Sequence, residues 1–407
     1  MTKPRGTDGS LGGSVFGTIV NAMDRPMIDD PIAALGPRGL SRYLPVAAVA
    51  VFPLCVGFVV WSGILAGTFG FDFLAYHQAA TRLLAGLPLY DPALKSLHAS
   101  SAGDVGAVVP FLYPPPFALA ITPLATLSAA AASVVWLGLS LIALVGGIWL
   151  LPVTGQVRWL TLLLAGLSWP VAYSLKLGQV GPFLLLLFAI GWRWIDRPAV
   201  GVSGAIGAMV KIQPGLILVW AIVTRRRMAA LAGAASIAIG AVISIVAAGG
   251  VADWRDYFTL LRGLPDPITT PGNMSPGAVV YQTLNVPIGL ATAVQTASSV
   301  AALTLVLVSA LRGTAASSYL AAVIASQLAT PVLWDHYAML LLLPVAWLLN
   351  RSHVWAAAIP LATCLFVLFV LPPLAYPVVF WITLVSVVAI GWRERSGASR
   401  DPSAPST

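Results

Sequence analysis

Apolar segments of about twenty residues recur along most of this 407-residue sequence, with short polar stretches between them. A segment of that length is what an α-helix needs to cross the hydrocarbon core of a bilayer. Only 9% of the residues are charged, whereas soluble domains carry roughly 25%, and the mean hydropathy is +0.90. The two-residue alternation of barrel strands is absent. Because backbone groups in lipid must be satisfied inside a helix or a closed barrel, the sequence predicts an all-α polytopic membrane protein.

The remaining composition excludes several other classes of protein. Cys55 and Cys364 both lie inside apolar runs, so they predict neither a disulfide framework nor a metal site. The net charge of +8 is explained by loop charges that orient helices, and no basic-aromatic patch indicates nucleic-acid binding. Residues 1–43 lack the apolar core of a signal peptide. We expect residues 1–43 and 393–407 to be cytoplasmic tails, largely disordered, around a membrane domain at 44–392.

The hydropathy pattern predicts about twelve helices within the membrane domain. Polar residues, glycines and prolines mark the breaks between them. The predicted helices span residues 44–66, 115–127, 130–152, 158–177, 179–196, 200–223, 228–250, 284–311, 316–330, 336–350, 354–371 and 375–392.

Arginines at the helix ends predict the orientation of these helices. With twelve crossings, one side carries most of the arginines, and the positive-inside rule assigns that side to the cytoplasm. Two long polar loops, residues 68–114 and 251–283, then face outward. This scheme leaves Arg158, Arg193 and Arg197 outside, so we expect the fourth and fifth helices to be short or partly re-entrant. The arginines on the cytoplasmic side are Arg38, Arg42, Arg225, Arg226, Arg227, Arg312, Arg351, Arg393 and Arg395.

The first outward loop opens with the stretch FDFLAYHQAATRLLAGLPLYDP. Apolar residues recur at helical spacing in residues 73–85, which predicts an amphipathic helix along the outer membrane surface. Gly86 and Pro88 end it. Asp72 stands directly before this helix. It is either an N-cap, whose carboxylate accepts a backbone N–H of the first turn, or a general base that faces a cavity below the helix.

Five stretches occur in order between about residue 70 and residue 345: FDFLAYHQAATRLLAGLPLYDP, FLYPPPFALAITPLATL, LGQVGPFLLLL, GAMVKIQPGLIL and ATPVLWDHYAMLLLLP. Together they resemble the polytopic glycosyltransferases of family 87. That family includes polyprenol-phosphate-mannose-dependent α-mannosyltransferases of the GT-C fold class.

The resemblance implies a GT-C type helical bundle with its active site on the outward face. The proline-rich, arginine-bearing composition fits a bacterial inner membrane, so we expect that face to be the periplasm or exterior. The resemblance also implies a polyprenyl-phosphate-linked sugar donor, with mannose the best-described sugar, and a glycolipid or glycan acceptor. In GT-C enzymes the catalytic aspartate lies in the first outward loop, just after helix one, and that position is Asp72 here. Such a carboxylate takes the proton of the acceptor hydroxyl as its oxygen attacks C1 of the donor sugar. Phosphate leaves well without a second carboxylic acid.

The leaving phosphate needs a positive charge beside it. Lys211, in MVKIQP, interrupts an apolar stretch, and a lysine inside the membrane is costly enough that a phosphate or carboxylate partner is the first hypothesis. The alternative is a lysine that snorkels to an interface. Pro214 is expected to break the helix there. Lys176 and Gln179, in SLKLGQVGP, form a second candidate pair, although the helix count places them toward the cytoplasm. Further alternatives in the outward loop are Arg82 and Lys95.

The stretch PVLWDHYAML places a polar group at the outward start of an apolar helix. Its order matches the family motif, and the resemblance implies that His336 binds the donor phosphate or packs against the sugar. Trp334 is a further substrate-binding candidate. Asp335 is alternatively an N-cap.

Several aromatic residues complete the candidate site. Tyr76 lies one turn after Asp72 and lines the same site if the helix forms. Tyr113 precedes three prolines, and it either contacts substrate or belongs to the interfacial aromatic belt. Tyr90 and Asp91 form either a turn or a substrate contact. Residues of the second outward loop that are able to stack on a sugar acceptor are Trp254, Tyr257 and Tyr281.

The outward loops contain no DxD arrangement of the kind that holds a nucleotide sugar through a divalent cation. The sequence therefore predicts neither a metal site nor a cofactor, which fits a donor with a single lipid-linked phosphate. A multi-pass transporter or flippase of a lipid-linked or polar substrate is the alternative class. KIQP resembles the broken helices of transporters, although no internal repeat is present. A transferase requires Asp72 and His336 to share one outward cavity.

Overall fold

The computed structural model describes residues 41–90, 111–264, 266–362 and 375–398. The regular structure in these ranges is helical, as the sequence predicted. The α-helices are α1 (Leu44–Leu65), α2 (Phe71–Leu84), α3 (Pro115–Ile121), α4 (Ala129–Leu150), α5 (Gly155–Leu167), α6 (Trp169–Leu177), α7 (Gly181–Arg193), α8 (Ala199–Val210), α9 (Leu216–Val223), α10 (Arg227–Ala247), α11 (Val251–Arg262), α12 (Pro276–Leu284), α13 (Ile288–Arg312), α14 (Ala315–Leu328), α15 (Leu342–Leu349), α16 (Ala358–Ala362) and α17 (Ala375–Ala398). Short 3-10 helices lie at Ser41–Tyr43, Leu124–Thr126, Gln213–Gly215, Pro267–Thr269, Asp335–Leu341 and Val354–Ala357.

Polar residues at the breaks set where several of these helices begin and end. Ser128, Thr154 and Thr314 stand before α4, α5 and α14, and each side-chain oxygen accepts a hydrogen bond from the backbone N–H three residues on. Such a cap satisfies one of the free donors of the first turn. Helix α2 ends at Leu84, and Gly86 follows with a φ of +68°, so the predicted end of this helix is confirmed.

Among the residues that the structure describes, five helices are long and apolar enough to cross a membrane, namely α1, α4, α10, α13 and α17. Helices α6 and α7 together make a sixth candidate, although they are bent by 119° relative to each other. Shorter apolar helices occupy residues 199–210, 213–223, 315–328 and 335–349. The described ranges therefore form a helical membrane protein, but the predicted count of twelve spans is not confirmed.

Ion pairs and hydrogen bonds of charged side chains join several helix ends at one end of the bundle. We call this the arginine end and define it by Arg312, Arg351 and Arg395. Arg351, which follows α15, pairs with Glu394 of α17 at 2.5 Å. Arg395 donates to the backbone oxygen of Gly313, just after α13, at 3.0 Å. The predicted clustering of Arg312, Arg351 and Arg395 on one side is therefore confirmed.

The start of α5, with Arg158, and the end of α7 with the turn that follows it, with Arg193 and Arg197, also lie at the arginine end. The prediction that left these arginines on the other side is therefore wrong. The backbone N–H of Thr154 donates to the side chain of Asn350 at 2.9 Å, next to Arg351. Arg226 pairs with Asp196 at 2.5 Å, which brings the turn after α7 beside the arginine run before α10.

This correction arises because two of the predicted spans do not cross the bundle. The first is residues 115–127, where α3 has only seven residues. Both flanks of this segment contact α2: the hydroxyl of Tyr113 lies 2.7 Å from that of Tyr76, and the backbone oxygen of Leu127 lies 3.1 Å from Nε2 of His77. The segment therefore stays at the end of the bundle opposite the arginines.

The second is residues 200–223, which form two helices that fold back on each other. A Cβ atom at Gly204 would lie 3.0 Å from Cβ of Ile217, and one at Gly207 would lie 2.8 Å from Cβ of Pro214. In one continuous helix, residues 204 and 217 would be about 20 Å apart at 1.5 Å per residue. Helices α8 and α9 thus begin and end at the arginine end. Each segment that fails to cross reverses the predicted side of every later loop. Because there are two such segments, the loops after α9 lie on the side that was predicted.

Two further segments are more ordered than the sequence predicted. The outward segment 251–283 contains α11 and most of α12, and α17 continues to Ala398, six residues beyond Trp392. Residues 1–40 and 399–407 of the predicted tails lie outside the described ranges, as does Cys364.

Candidate active site

Asp72 is the second residue of α2, and its carboxylate is held by a side chain from another part of the chain. Nε2 of Gln179 donates to Oδ2 of Asp72 at 2.6 Å. Gly70 occupies the N-cap position of α2, and no side chain caps that helix. The interpretation of Asp72 as an N-cap is therefore wrong, because its oxygen accepts from a distant amide.

Gln179 reaches Asp72 because the turn between α6 and α7 is held tightly against α2. Gly178 has a φ of +72°, and a Cβ atom there would lie 2.6 Å from Cβ of Phe73. Glycine fits both the left-handed backbone and the close approach. Nε1 of Trp136 donates to the backbone oxygen of Gly178 at 2.8 Å, and its ring stacks on Phe73. Gln179 therefore lies beside α2, not toward the arginine end as the helix count predicted.

Two tyrosine hydroxyls surround the other end of the Gln179 amide. The hydroxyls of Tyr76 and Tyr113 are 2.7 Å apart, and each lies 3.4 Å from Oε1 of Gln179. Both ring systems also pack against Phe117. A hydrogen-bond donor at Oε1 leaves the amide nitrogen facing Asp72. The two tyrosines thus orient Gln179, and Tyr113 is more than an interfacial anchor.

Lys211 occupies the turn between α8 and α9, in an extended backbone conformation. Its Nζ donates to the hydroxyl of Tyr337 at 2.8 Å and lies 4.2 Å from the centre of that ring. The ring of Tyr113 is 5.5 Å from the same atom. The predicted helix break at this lysine is confirmed. Lys211 packs against two aromatic faces, and no carboxylate in the described ranges lies within 4 Å of it.

His336 is buried in the 3-10 helix Asp335–Leu341, and its Nδ1 lies 3.5 Å from Oδ1 of Asp335. In the part of the chain that the structure describes, Nε2 of His336 has no hydrogen-bond partner. A small cavity with room for about one water molecule lies beside it. Its lining residues are Gly181, Leu184, Lys211, Gln327, His336, Tyr337, Met339 and Leu340.

Asp335 is held from two sides instead of capping a helix. Its Oδ1 accepts from the backbone N–H of His336 at 2.7 Å, and its Oδ2 accepts from Nε1 of Trp169 at 3.2 Å. Trp334 occupies the N-cap position of that 3-10 helix. The N-cap interpretation of Asp335 is therefore wrong.

The electrostatics connect these groups to Asp72. Burial raises the pKa of the Asp72 carboxyl above its ordinary value, and the charge of Asp335 acts in the same direction. The charge of His336, the hydrogen bond from Gln179 and the charge of Lys211 oppose this increase. Asp72 and His336 are therefore close enough to act on each other. Asp72 does not line the cavity beside His336, so one cavity shared by both residues stays a prediction. A carboxyl with a raised pKa is a better proton acceptor than an ordinary surface aspartate.

The remaining candidates have other contacts. The ring of Trp334 packs near Gly272, 3.5 Å from where a Cβ atom would lie. Nε1 of Trp254 donates to Ser244. Tyr257 packs against Tyr90, whose hydroxyl donates to the backbone oxygen of Tyr113 at 2.7 Å, so these two tyrosines adjoin the site. Nε of Arg82, near the end of α2, donates to the backbone oxygen of Pro88 in the loop that follows. The predictions for Asp91 and Lys95 lie outside the described residues.

Tyr337, Trp169 and Tyr173 had no role of their own predicted from the sequence. Tyr337 follows His336 directly, and its hydroxyl is the hydrogen-bond partner of Lys211. Trp169 and Tyr173 stack with ring centres 4.9 Å apart. Their spacing of four residues, with Lys176 three residues further on, is the signal that would have found them, because it places all three on one helix face. Over the described ranges, no group of three metal-ligating side chains is close enough to hold a metal ion.

The fold and the site define a helical membrane protein whose aspartate, glutamine, lysine and histidine meet at the end of the bundle opposite the arginines. The chain belongs to glycosyltransferase family 87, whose family model matches residues 111–333. Asp72 precedes the matched residues.

One curated relative is a protein of Mycobacterium tuberculosis described as a polyprenol-phosphate-mannose-dependent alpha-(1-2)-phosphatidylinositol mannoside mannosyltransferase. It is 27% identical over 224 residues, which cover 50% of this chain and 50% of the relative. The chain thus spans about half the length of this relative. No solved structure matches the chain significantly.

Proposed function

We propose that this protein transfers a sugar from a polyprenyl-phosphate donor to a lipid-linked acceptor, with Asp72 as the general base. The observation that carries the proposal is the oriented carboxylate of Asp72, held by Gln179 at 2.6 Å within the field of His336 and Lys211. Family membership and the activity in the name of the mycobacterial relative support the reaction class and the donor.

The reaction needs one base and no acid. The acceptor hydroxyl oxygen forms a bond to C1 of the donor sugar as the bond between C1 and the phosphate oxygen breaks. Asp72 takes the hydroxyl proton, and the leaving oxygen keeps the bonding electron pair as polyprenyl phosphate. Attack opposite to the leaving group inverts the configuration at C1. A positioned base contributes roughly 10²- to 10⁴-fold to such a step.

Lys211, Tyr337 and His336 are the groups that stabilise the departing phosphate. Nζ of Lys211 and the hydroxyl of Tyr337 form a donor pair, and Nε2 of His336 is buried with no partner among the described residues. A single phosphate accepts from all three. Charge-assisted bonds of this kind are about twice as strong as neutral ones.

The arginine end lies in the cytoplasm by the positive-inside rule. The site at the opposite end then faces the periplasm or exterior of the inner membrane, where a lipid-linked sugar is able to serve as donor without a nucleotide. Mannose is the sugar that the relative's name supports, and a glycolipid is the acceptor that it supports.

The test is transfer of label by the purified protein in proteoliposomes that contain radiolabelled polyprenyl-phosphate-mannose and membrane glycolipids. The proposal predicts a labelled glycolipid whose new linkage has the opposite anomeric configuration to the donor. Movement of intact donor across the bilayer, with no new glycolipid, would instead identify a transporter of lipid-linked sugars.

A further inference from the structure

One face of α6 carries three side chains that the proposed reaction does not use. Trp169, Tyr173 and Lys176 follow one another at spacings of four and three residues, so they form a single stripe. The rings of Trp169 and Tyr173 are stacked at an angle of 15°, and Nζ of Lys176 lies 5.6 Å from the centre of the Tyr173 ring. All three side chains remain partly exposed.

This stripe borders the candidate active site. The backbone N–H of Gly70 donates to the backbone oxygen of Lys176 at 2.8 Å, two residues before Asp72. Asp335 and Asp72 are both close enough to act electrostatically on the hydroxyl of Tyr173. A molecule that rests on the stripe therefore has one end beside the catalytic base.

Lys176 also lies at the end of a candidate membrane span. Its methylene carbons pack against Gly63, where a Cβ atom would lie only 2.8 Å from Cγ of the lysine, and α1 ends two residues later at Leu65. Trp61 and Leu65 expose 58% and 71% of their surface there. Exposed tryptophan at the end of a span is typical of the headgroup level of a bilayer.

The ammonium group of Lys176 has no carboxylate within 4 Å in the ranges that the structure describes. A lysine with a buried stem and an unpaired head near the headgroup level is suited to a lipid phosphate. The donor has a single phosphate, which the proposed function assigns to Lys211, Tyr337 and His336. A second cation, carried by the helix whose backbone bonds Gly70, is thus available for a second anion.

We propose that Lys176, Tyr173 and Trp169 form an acceptor subsite for a glycophospholipid. Lys176 binds the phosphodiester of the headgroup, and the stacked rings of Tyr173 and Trp169 cover the apolar face of a sugar, whose free hydroxyl then points toward Asp72. The assignment rests on the proposed function, in which the molecule beside Asp72 receives the sugar. It makes a lipid-anchored phosphodiester a determinant of acceptor choice.

The test compares binding of two labelled probes to the purified full chain in detergent. One probe is a short-chain phosphatidylinositol that carries one mannose, and the other is an alkyl mannoside of equal chain length without phosphate. Lys176→Met keeps the stem and removes the charge, so it should weaken binding of the phosphodiester probe about tenfold and leave the neutral probe unchanged. Lys176→Arg should retain binding within about twofold.

Two further variants separate the effect of the Lys176 charge from two other effects. One is the stacking of the sugar on Tyr173 and Trp169, and the other is the general effect of removing an exposed cation. Tyr173→Leu should weaken both probes alike, because it removes the sugar platform and not the charge. Arg255→Met, which removes an exposed cation of α11, should leave both probes unaffected. Inorganic phosphate should compete only weakly with the phosphodiester probe.

The subsite is overturned if Lys176→Met changes neither probe or both equally, if the wild type binds neither, or if inorganic phosphate competes as well as the lipid. Transfer assays on the same variants keep the two proposals apart. Lys176-dependent binding without any sugar transfer would retain the subsite and refute the proposed function. Transfer with an acceptor KM that does not depend on Lys176 would refute the subsite and retain the proposed function.

Discussion

Gln179 donates a hydrogen bond to Asp72 across 107 positions of the chain, with 2.6 Å between Nε2 and Oδ2. The bond joins the start of α2 to the turn between α6 and α7. It fixes one carboxylate oxygen, so the other oxygen is available to an acceptor hydroxyl. Tyr76 and Tyr113 in turn orient the amide, and the base is therefore positioned through a network that substrate does not have to assemble.

The bond from Gln179 lowers the pKa of Asp72 against the larger effect of burial, which raises it. Asp72 accepts a proton only when ionised, so transfer should fall as the pH drops through its pKa. Gln179→Met removes the bond, raises that pKa further, and should move the acid limb of kcat to higher pH. The pH profile of transfer measures this shift.

Gln295→Met is the matched control, because this buried glutamine bonds the backbone of Gly277 and Thr330 instead of a carboxylate. It should reduce the thermal unfolding midpoint while the acid limb stays where it is in the wild type. An unmoved limb in Gln179→Met would show that the bond does not tune Asp72.

Lys211→Met should weaken the donor more than the acceptor. The ammonium group bonds Tyr337 at 2.8 Å and faces the cavity that also contains His336. Loss of a charge-assisted bond to phosphate should raise the donor KM about tenfold. Initial rates at varied donor and fixed acceptor concentration measure the effect.

Lys211→Arg keeps the charge and should restore part of the donor affinity. An acceptor KM that rises while the donor KM stays constant would assign Lys211 to the wrong substrate. Lys176→Met provides the opposite pattern for comparison, since we assign that residue to the acceptor.

Gly178→Ala should destabilise the protein and reduce transfer together. At a φ of +72°, alanine adds strain of about 1–2 kcal/mol, and its Cβ atom would lie 2.6 Å from Cβ of Phe73. The turn then has to move, and Gln179 moves with it. Thermal unfolding in detergent and the transfer rate measure the two effects.

Gly67→Ala separates backbone strain from the close contact. Gly67 has a φ of +65°, but a Cβ atom there meets nothing within 4 Å. Its substitution should lower the unfolding midpoint less than Gly178→Ala does. Equal effects on stability and transfer would mean that the approach of Phe73 is unimportant.

The fold class could be predicted from the sequence, but which apolar segments cross the bundle could not. Apolar length identified α1 and α4 to within about two residues, because those helices are long and uninterrupted. Hydropathy does not distinguish a helix that crosses from one that folds back. The segment at 200–223 therefore seemed to be one span, although Gly204 and Gly207 allow α8 and α9 to pack closely.

The candidate site was predicted in its residues but not in its contacts. Lys211 was found because a lysine inside an apolar run is costly. Asp72 and His336 were found through the family resemblance. Their partners depend on tertiary packing: the bond to Gln179 needs the Gly178 turn, and the bond to Tyr337 needs the break at Lys211. Trp334 resembles a motif residue in sequence, but it packs toward Gly272.

The measurement that tests the central claim most directly compares sugar transfer from polyprenyl-phosphate-mannose by the wild type, Asp72→Asn and Asp253→Asn. Asparagine keeps the shape of the side chain and removes the base. Asp253 is a buried aspartate that accepts from the backbone N–H of Gly249 and not from Gln179, so it controls for the general effect of this substitution.

We predict that Asp72→Asn lowers kcat on the order of 10²- to 10⁴-fold with an unchanged unfolding midpoint, whereas Asp253→Asn lowers the midpoint and leaves kcat within about threefold of the wild type. Transfer by a folded Asp72→Asn protein at the wild-type rate would contradict the account, because Asp72 would then not be the base.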